Sequence, residues 1–164
     1  MSLAEIKKDL NKEENIGGVR ATLFVIMITI LSSIALTKNM KSNSKQRFED
    51  FSEIAKALEQ YKKDHKEYPK AASGVWFTGG RRIKINSNWI PGLSPEYLSK
   101  VPIDPYRSKL PNHQYIYFSN GADFKLIAHG TEDATAIIKG YPEMKDPTRP
   151  TYAYGIWTTG GEKW

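Results

Sequence analysis

The residue types that most often carry chemistry are present in this chain without the spacing that chemistry needs. His65, His113 and His129 lie far apart and share no metal-ligand interval, so each reads as a surface or strand-end residue. Cysteine is absent from all 164 residues, which removes a disulfide frame, a thiol nucleophile and a zinc-thiolate site. Gly79-Gly80 precedes Arg81-Arg82, and paired guanidiniums could take an anion. No helix signal follows those glycines, so the phosphate-loop arrangement is missing and a solvated loop is the simpler reading. No serine sits in a nucleophile-elbow setting. Glu132-Asp133 is accounted for as first-turn charge on a short helix, where carboxylates favour the dipole. Trp76, Trp89, Trp157 and Trp164 offer faces that could stack on sugars, although packing in a core or interface is the commoner use of such rings. The chain therefore reads as non-enzymatic, with no cofactor and no metal assigned. Its net charge is +6, but the lysines are scattered rather than gathered on one aromatic-studded face, which argues against nucleic acid.

The elements that must position these residues are very unequal in polarity. A mean hydropathy of -0.53 conceals the run Ala21 to Leu36, ATLFVIMITILSSIAL, which contains no charge, Gly or Pro. Its length is the short end of what spans a hydrocarbon core, and a soluble helix would need a polar face. Residues 1–20 then form a leader-like cytoplasmic segment, 21–37 a transmembrane helix, and 38–164 a soluble domain. Ser33-Ile34-Ala35 also resembles a secretory cleavage site. Two features favour an anchor instead: the preceding segment carries Glu5, Asp9, Glu13 and Glu14, and no Gly or Pro occurs between Val19 and Tyr68. Positive charge is balanced on the two sides of the run, so charge alone does not orient it.

In KQRFEDFSEIAKALEQYKKDHK, Phe48, Phe51, Ala55, Leu58 and Tyr61 recur at three- and four-residue steps and predict an amphipathic helix over 45–67. Tyr68-Pro69 ends it. Residues 70–106 read as irregular, apart from a short helix signal at Ser94-Pro95-Glu96-Tyr97-Leu98, with Ser at the N-cap and Pro at the first turn. Gln114 to Ser119 and Phe124 to Ala128 read as strands joined through Asn120-Gly121. Thr131 to Lys139 predicts a capped helix ending at Gly140, and Tyr152 to Thr158 predicts a third strand. The expected class is α+β: a long N-terminal helix, half in the membrane and half amphipathic, packed on a small antiparallel sheet.

Several strings resemble the bacterial type IV pilin superfamily, particularly the major pseudopilins of type II secretion. They are the apolar helix, its continuation RFEDFSEIAKALEQYKKDHKEYP, then LSPEYLSKVPIDPY and YIYFSNGADFKLIA, which together span residues 21–128. The resemblance implies a lollipop-shaped subunit of the inner membrane with its soluble domain extracytoplasmic. It also implies helix-to-helix assembly with itself and other pseudopilin-like subunits, surrounded by lipid. The chain departs from the pattern at the processing junction: the candidate is Gly18-Val19, and Leu23 stands where members usually carry Glu. Members often bind calcium in loops after the hairpin. Asp123, Asp133 and Asp146 are available here, but the usual string is not. The alternative is a membrane-tethered binding module that captures glycan or peptide on a pilin-like scaffold.

Overall fold

The computed structural model describes residues 42–70, 76–79, 88–105 and 113–164. The segments read above as leader and membrane helix lie outside these residues, as do Gly18 and Val19. Among the described residues no helix is long and apolar enough to cross a membrane.

The first element among the described residues is α1, Ser42–His65, with 24 residues and a length of about 36 Å. Its last turn carries Lys62, Lys63 and His65, cations that suit the negative end of the helix dipole. Lys66 then enters the left-handed region with φ 65° and donates its N–H to the Lys62 carbonyl at 2.8 Å, closing the helix before Tyr68-Pro69.

Four antiparallel strands follow in sequential order: β1 Phe77–Gly79, β2 Gln114–Ser119, β3 Phe124–His129 and β4 Ala153–Trp157. The pairing Tyr115↔Ala128↔Tyr154 and Tyr117↔Leu126↔Ile156 places those six side chains on one face. All six are buried in a single core with Phe48, Phe51, Ile54, Ala55 and Leu58 of α1. Phe51 touches both Tyr115 (ring centroids 5.4 Å apart) and Tyr154 (6.2 Å), so the helix lies across the sheet at β2 to β4.

Ile116, Ile127, Phe118, Lys125 and Trp157 fall on the opposite face. A sheet open to water there would show polar residues at these sites. Instead β3 is buried at five successive positions, because the C-terminal segment covers the second face. Gly155 faces Ile127, and a Cβ at that position would strike the Leu126 carbonyl and the Ile127 backbone. The β2–β3 connection is a four-residue loop. Gly121 takes φ +95°, and the Asn120 Oδ1 accepts from the N–H groups of Ala122 (3.0 Å) and Asp123 (2.9 Å).

Three local expectations need revision. A fourth strand, β1, lies in the stretch read as irregular; three residues beside Gly79-Gly80 are too few to show alternation. Ser94 does not cap a helix. Its hydroxyl donates to the Ser99 carbonyl at 3.1 Å, and residues 94–97 form turns. The second helix, α2, is Ala134–Gly140, and the Asp133 side chain makes no capping bond to it. That carboxylate is engaged elsewhere.

Candidate functional site

The most highly charged part of the interior is where the start of α1 meets the sheet. Arg47 lies one step before Phe48 on α1 and is fully buried. Its Nε and Nη2 donate to the two oxygens of Asp104, both at 2.9 Å, a fork-to-fork pair. Nη2 also donates to Glu132 Oε2 at 2.8 Å, and Nη1 lies 2.8 Å from Asp133 Oδ2. Asp133 accepts as well from Ser44 Oγ (2.6 Å), Thr131 Oγ1 (2.8 Å) and the Tyr154 hydroxyl (2.9 Å). One guanidinium thus gathers α1, the Pro102–Pro105 segment and the approach to α2. Burial opposes the Arg47 charge, but its bonds to Asp104 and Glu132 outweigh that and raise its pKa. Burial would likewise raise Glu132, yet hydrogen bonds from Arg47 and Asn43 hold it below the usual carboxylate range. Glu132 and Asp133 are therefore ligands of Arg47 rather than simply first-turn helix charges.

Asp50, one turn further along α1, is buried but has no cation. It accepts from the Tyr115 hydroxyl at 2.7 Å and from Gln46 Nε2 at 2.9 Å, with Glu53 and Asp104 nearby. Burial pushes its carboxyl up to about 6 from 3.8, and the two hydrogen bonds only partly oppose the rise. The folded state consequently holds this proton more tightly than the unfolded chain does. Stability from Asp50 is complete below its unfolded pKa and is lost as pH climbs towards 6, a loss of at most about 3 kcal/mol. Asp50→Asn keeps both partners, because a tyrosine hydroxyl can accept from the amide. In urea unfolding at pH 7.5 the variant should exceed the parent by about 1–2 kcal/mol, and the gap should close as pH falls below the unfolded carboxyl's 3.8. A variant that is weaker at pH 7.5 would show that the carboxylate is needed.

Of the sequence-selected helix residues, Phe48, Phe51, Ala55 and Leu58 are fully buried. Tyr61 is half-buried, stacks on His65 at 4.1 Å and meets Tyr97 edge-on at 5.6 Å. Ile54 and Ala57 complete the buried face. The histidines are not brought together as a metal site. Among the described residues no group of three or more His, Cys, Asp or Glu is placed to hold a metal ion. Each tryptophan is engaged within the chain. Trp89 is buried and donates Nε1–H to the Pro102 carbonyl at 2.8 Å. Trp76 lies beneath the Arg149 guanidinium (4.9 Å), Trp157 lies beneath Lys125 (5.1 Å), and Trp164 packs edge-on against Phe118 (4.8 Å).

The three aspartates available for calcium do not fit it. Asp133 is bound to Arg47, and Asp123 accepts from the Gly160 N–H at 3.0 Å. Asp146 is fully buried between Lys125 Nζ (2.7 Å) and Arg149 Nη1 (2.9 Å). Burial would raise Asp146, but bonds from Lys125, Thr148 and Arg149 win and hold it below the usual carboxylate range. Arg47 and Lys125 are the buried cations that sequence reasoning missed, and Asp50 and Asp104 are buried carboxylates it missed as well. The signal for Arg47 was its place beside Phe48 on the dry side of the helix. For Lys125 it was a cation flanked by Phe124 and Leu126 in an otherwise apolar run, Phe124 to Ala128.

A helix laid across an antiparallel sheet, with its buried charges paired inside the domain, defines an α+β structural module of pilin-like build. The family described as type II secretion system (T2SS), protein G, matches residues 35–154, most of the chain, and this protein belongs to it. No curated protein and no solved structure matches the chain.

Proposed function

We propose that this chain is a structural, non-enzymatic subunit of a pseudopilus that serves protein secretion. In this reading Ala21 to Leu36 holds it in the bacterial inner membrane, and residues 38–164 lie on the extracytoplasmic side. The observation that carries the proposal is how α1 is used in a member of the protein G family. From Ser42 on, the helix commits one side to the domain core and leaves Lys45, Glu49, Glu53, Lys56 and Lys63 exposed on the other. Partners are copies of itself and other pseudopilin subunits, met through the N-terminal helix. Helices in lipid gain no hydrophobic drive and associate through close packing and hydroxyls. Ser32, Ser33 and Ala35 supply such a surface. Leu23 cannot provide the carboxylate usual in the superfamily, so this contact is weaker than in a typical major subunit.

The absence of cysteine makes the test direct. A cysteine introduced at Ser33 should cross-link in membranes when the other subunits are co-expressed. A cysteine introduced at Asn120, on the hairpin loop, should not. If neither position cross-links under those conditions, the filament reading fails.

A further inference from the structure

The second face of the sheet carries a buried ammonium in an oxygen cage. Lys125 projects from near the start of β3 and its side chain has no exposure to solvent. Its Nζ donates to Asp146 Oδ1 at 2.7 Å, to the Glu162 carbonyl at 2.9 Å and to the Trp164 main-chain oxygen at 2.8 Å. An ammonium has three N–H donors, and each is matched here by one oxygen. The Trp157 ring lies 5.1 Å away and supplies a fourth favourable contact for the charge. Arg149 binds two of the same three groups, the other Asp146 oxygen, Oδ2, at 2.9 Å and Trp164 O at 3.1 Å. Thr148 Oγ1 donates to Trp164 O at 2.6 Å.

We propose that Lys125 is the resident cation of this site, so that the C-terminal tail is fixed to the sheet by a side chain and the domain needs no divalent metal ion. A carboxylate and converging main-chain carbonyls are the donor set that a hard cation such as calcium takes. Here the set is already saturated, because Lys125 and Arg149 both bind Asp146 and the Trp164 main-chain oxygen. A divalent ion would have to displace Lys125 and sit beside Arg149. The covalent tether also gives the clamp an affinity that does not depend on ion concentration.

The test uses the purified full-length chain. Thermal midpoints in excess EGTA and in millimolar calcium chloride should agree. Lys125→Met keeps the aliphatic stem and removes the charge, taking the Lys125 donor from the Glu162 carbonyl and leaving Asp146 and the Trp164 oxygen to Arg149 and Thr148. Hydrogen exchange across residues 159–164 should become at least about tenfold faster in this variant, while amides of the β2–β3 hairpin stay slow. Asp146→Asn, a milder change, should loosen the same tail by a smaller factor and serves if Lys125→Met does not fold. A calcium-dependent midpoint in the parent chain would overturn the proposal. So would a tail that exchanges at the parental rate in the folded variants.

Discussion

Arg47→Met should cost the domain about 3–5 kcal/mol, enough to leave it largely unfolded if its total stability sits at the low end for small domains. The lost attraction is the smaller part of this effect. Without the guanidinium, Asp104, Glu132 and Asp133 converge on one buried point with no counter-charge. Asp104 and Asp133 are themselves buried, so water cannot replace Arg47 without opening the core. Arg47→Lys should fall between the two, because an ammonium cannot reproduce the paired bonds to Asp104. Adding Asp104→Asn and Asp133→Asn to Arg47→Met should recover part of the loss by removing the repulsion. Urea unfolding at pH 7 measures all of these. An Arg47→Met chain within about 1 kcal/mol of the parent would mean that the carboxylates hold their places without the guanidinium.

Leu58→Asp should be comparably damaging, while Lys56→Asp, two residues earlier on the same helix, should be nearly silent. Leu58 is fully buried among the core residues of α1 and the sheet. Truncating such a leucine already costs about 2–5 kcal/mol, and an unpaired carboxylate in its place adds to that. Lys56 is exposed, and surface changes of this kind usually stay within about 0.5 kcal/mol. Lys62 is a poorer control. Its ammonium donates to the Ala122 carbonyl at 3.3 Å and lies 4.2 Å from the Tyr68 ring centroid, so it is part of the contact between helix and hairpin. Equal thermal midpoints for the Leu58 and Lys56 variants would remove this helix face from the core.

What could be read from the sequence follows from how far each signal reaches along the chain. Phe48, Phe51, Ala55 and Leu58 declare a helix face because their spacing is local, and any apolar neighbour will satisfy them. The β2 and β3 strands are equally local, joined by an Asn-Gly loop. Arg47 is different. Its type suggests solvent, and only the tertiary fold brings Asp104 and the Glu132-Asp133 pair to it. Lys125 follows the same logic: strand alternation places it on the second face, but the cover over it comes from Asp146, Arg149 and residues 162–164, which no strand period can foresee. The Ser94 cap and the first-turn role of Asp133 failed for a related reason. A hydroxyl or carboxylate is promised to no particular partner until the chain is folded, and here the partners are Ser99 and Arg47.

The Arg47 cluster also bears on how long the folded domain lasts. Its bonds join segments separated by 57 residues, from Arg47 to Asp104, and by 85 residues, from Arg47 to Glu132. Closing loops of that size is entropically unfavourable, whereas the β2–β3 hairpin needs only a four-residue turn. The hairpin is placed to form early, and the charged junction is completed only once helix, loop and sheet have all arrived. Interactions made that late contribute little to the speed of folding and fall almost entirely on the barrier to coming apart. The junction thus works as a latch: it sets the lifetime of the native state and leaves the search for it almost unchanged.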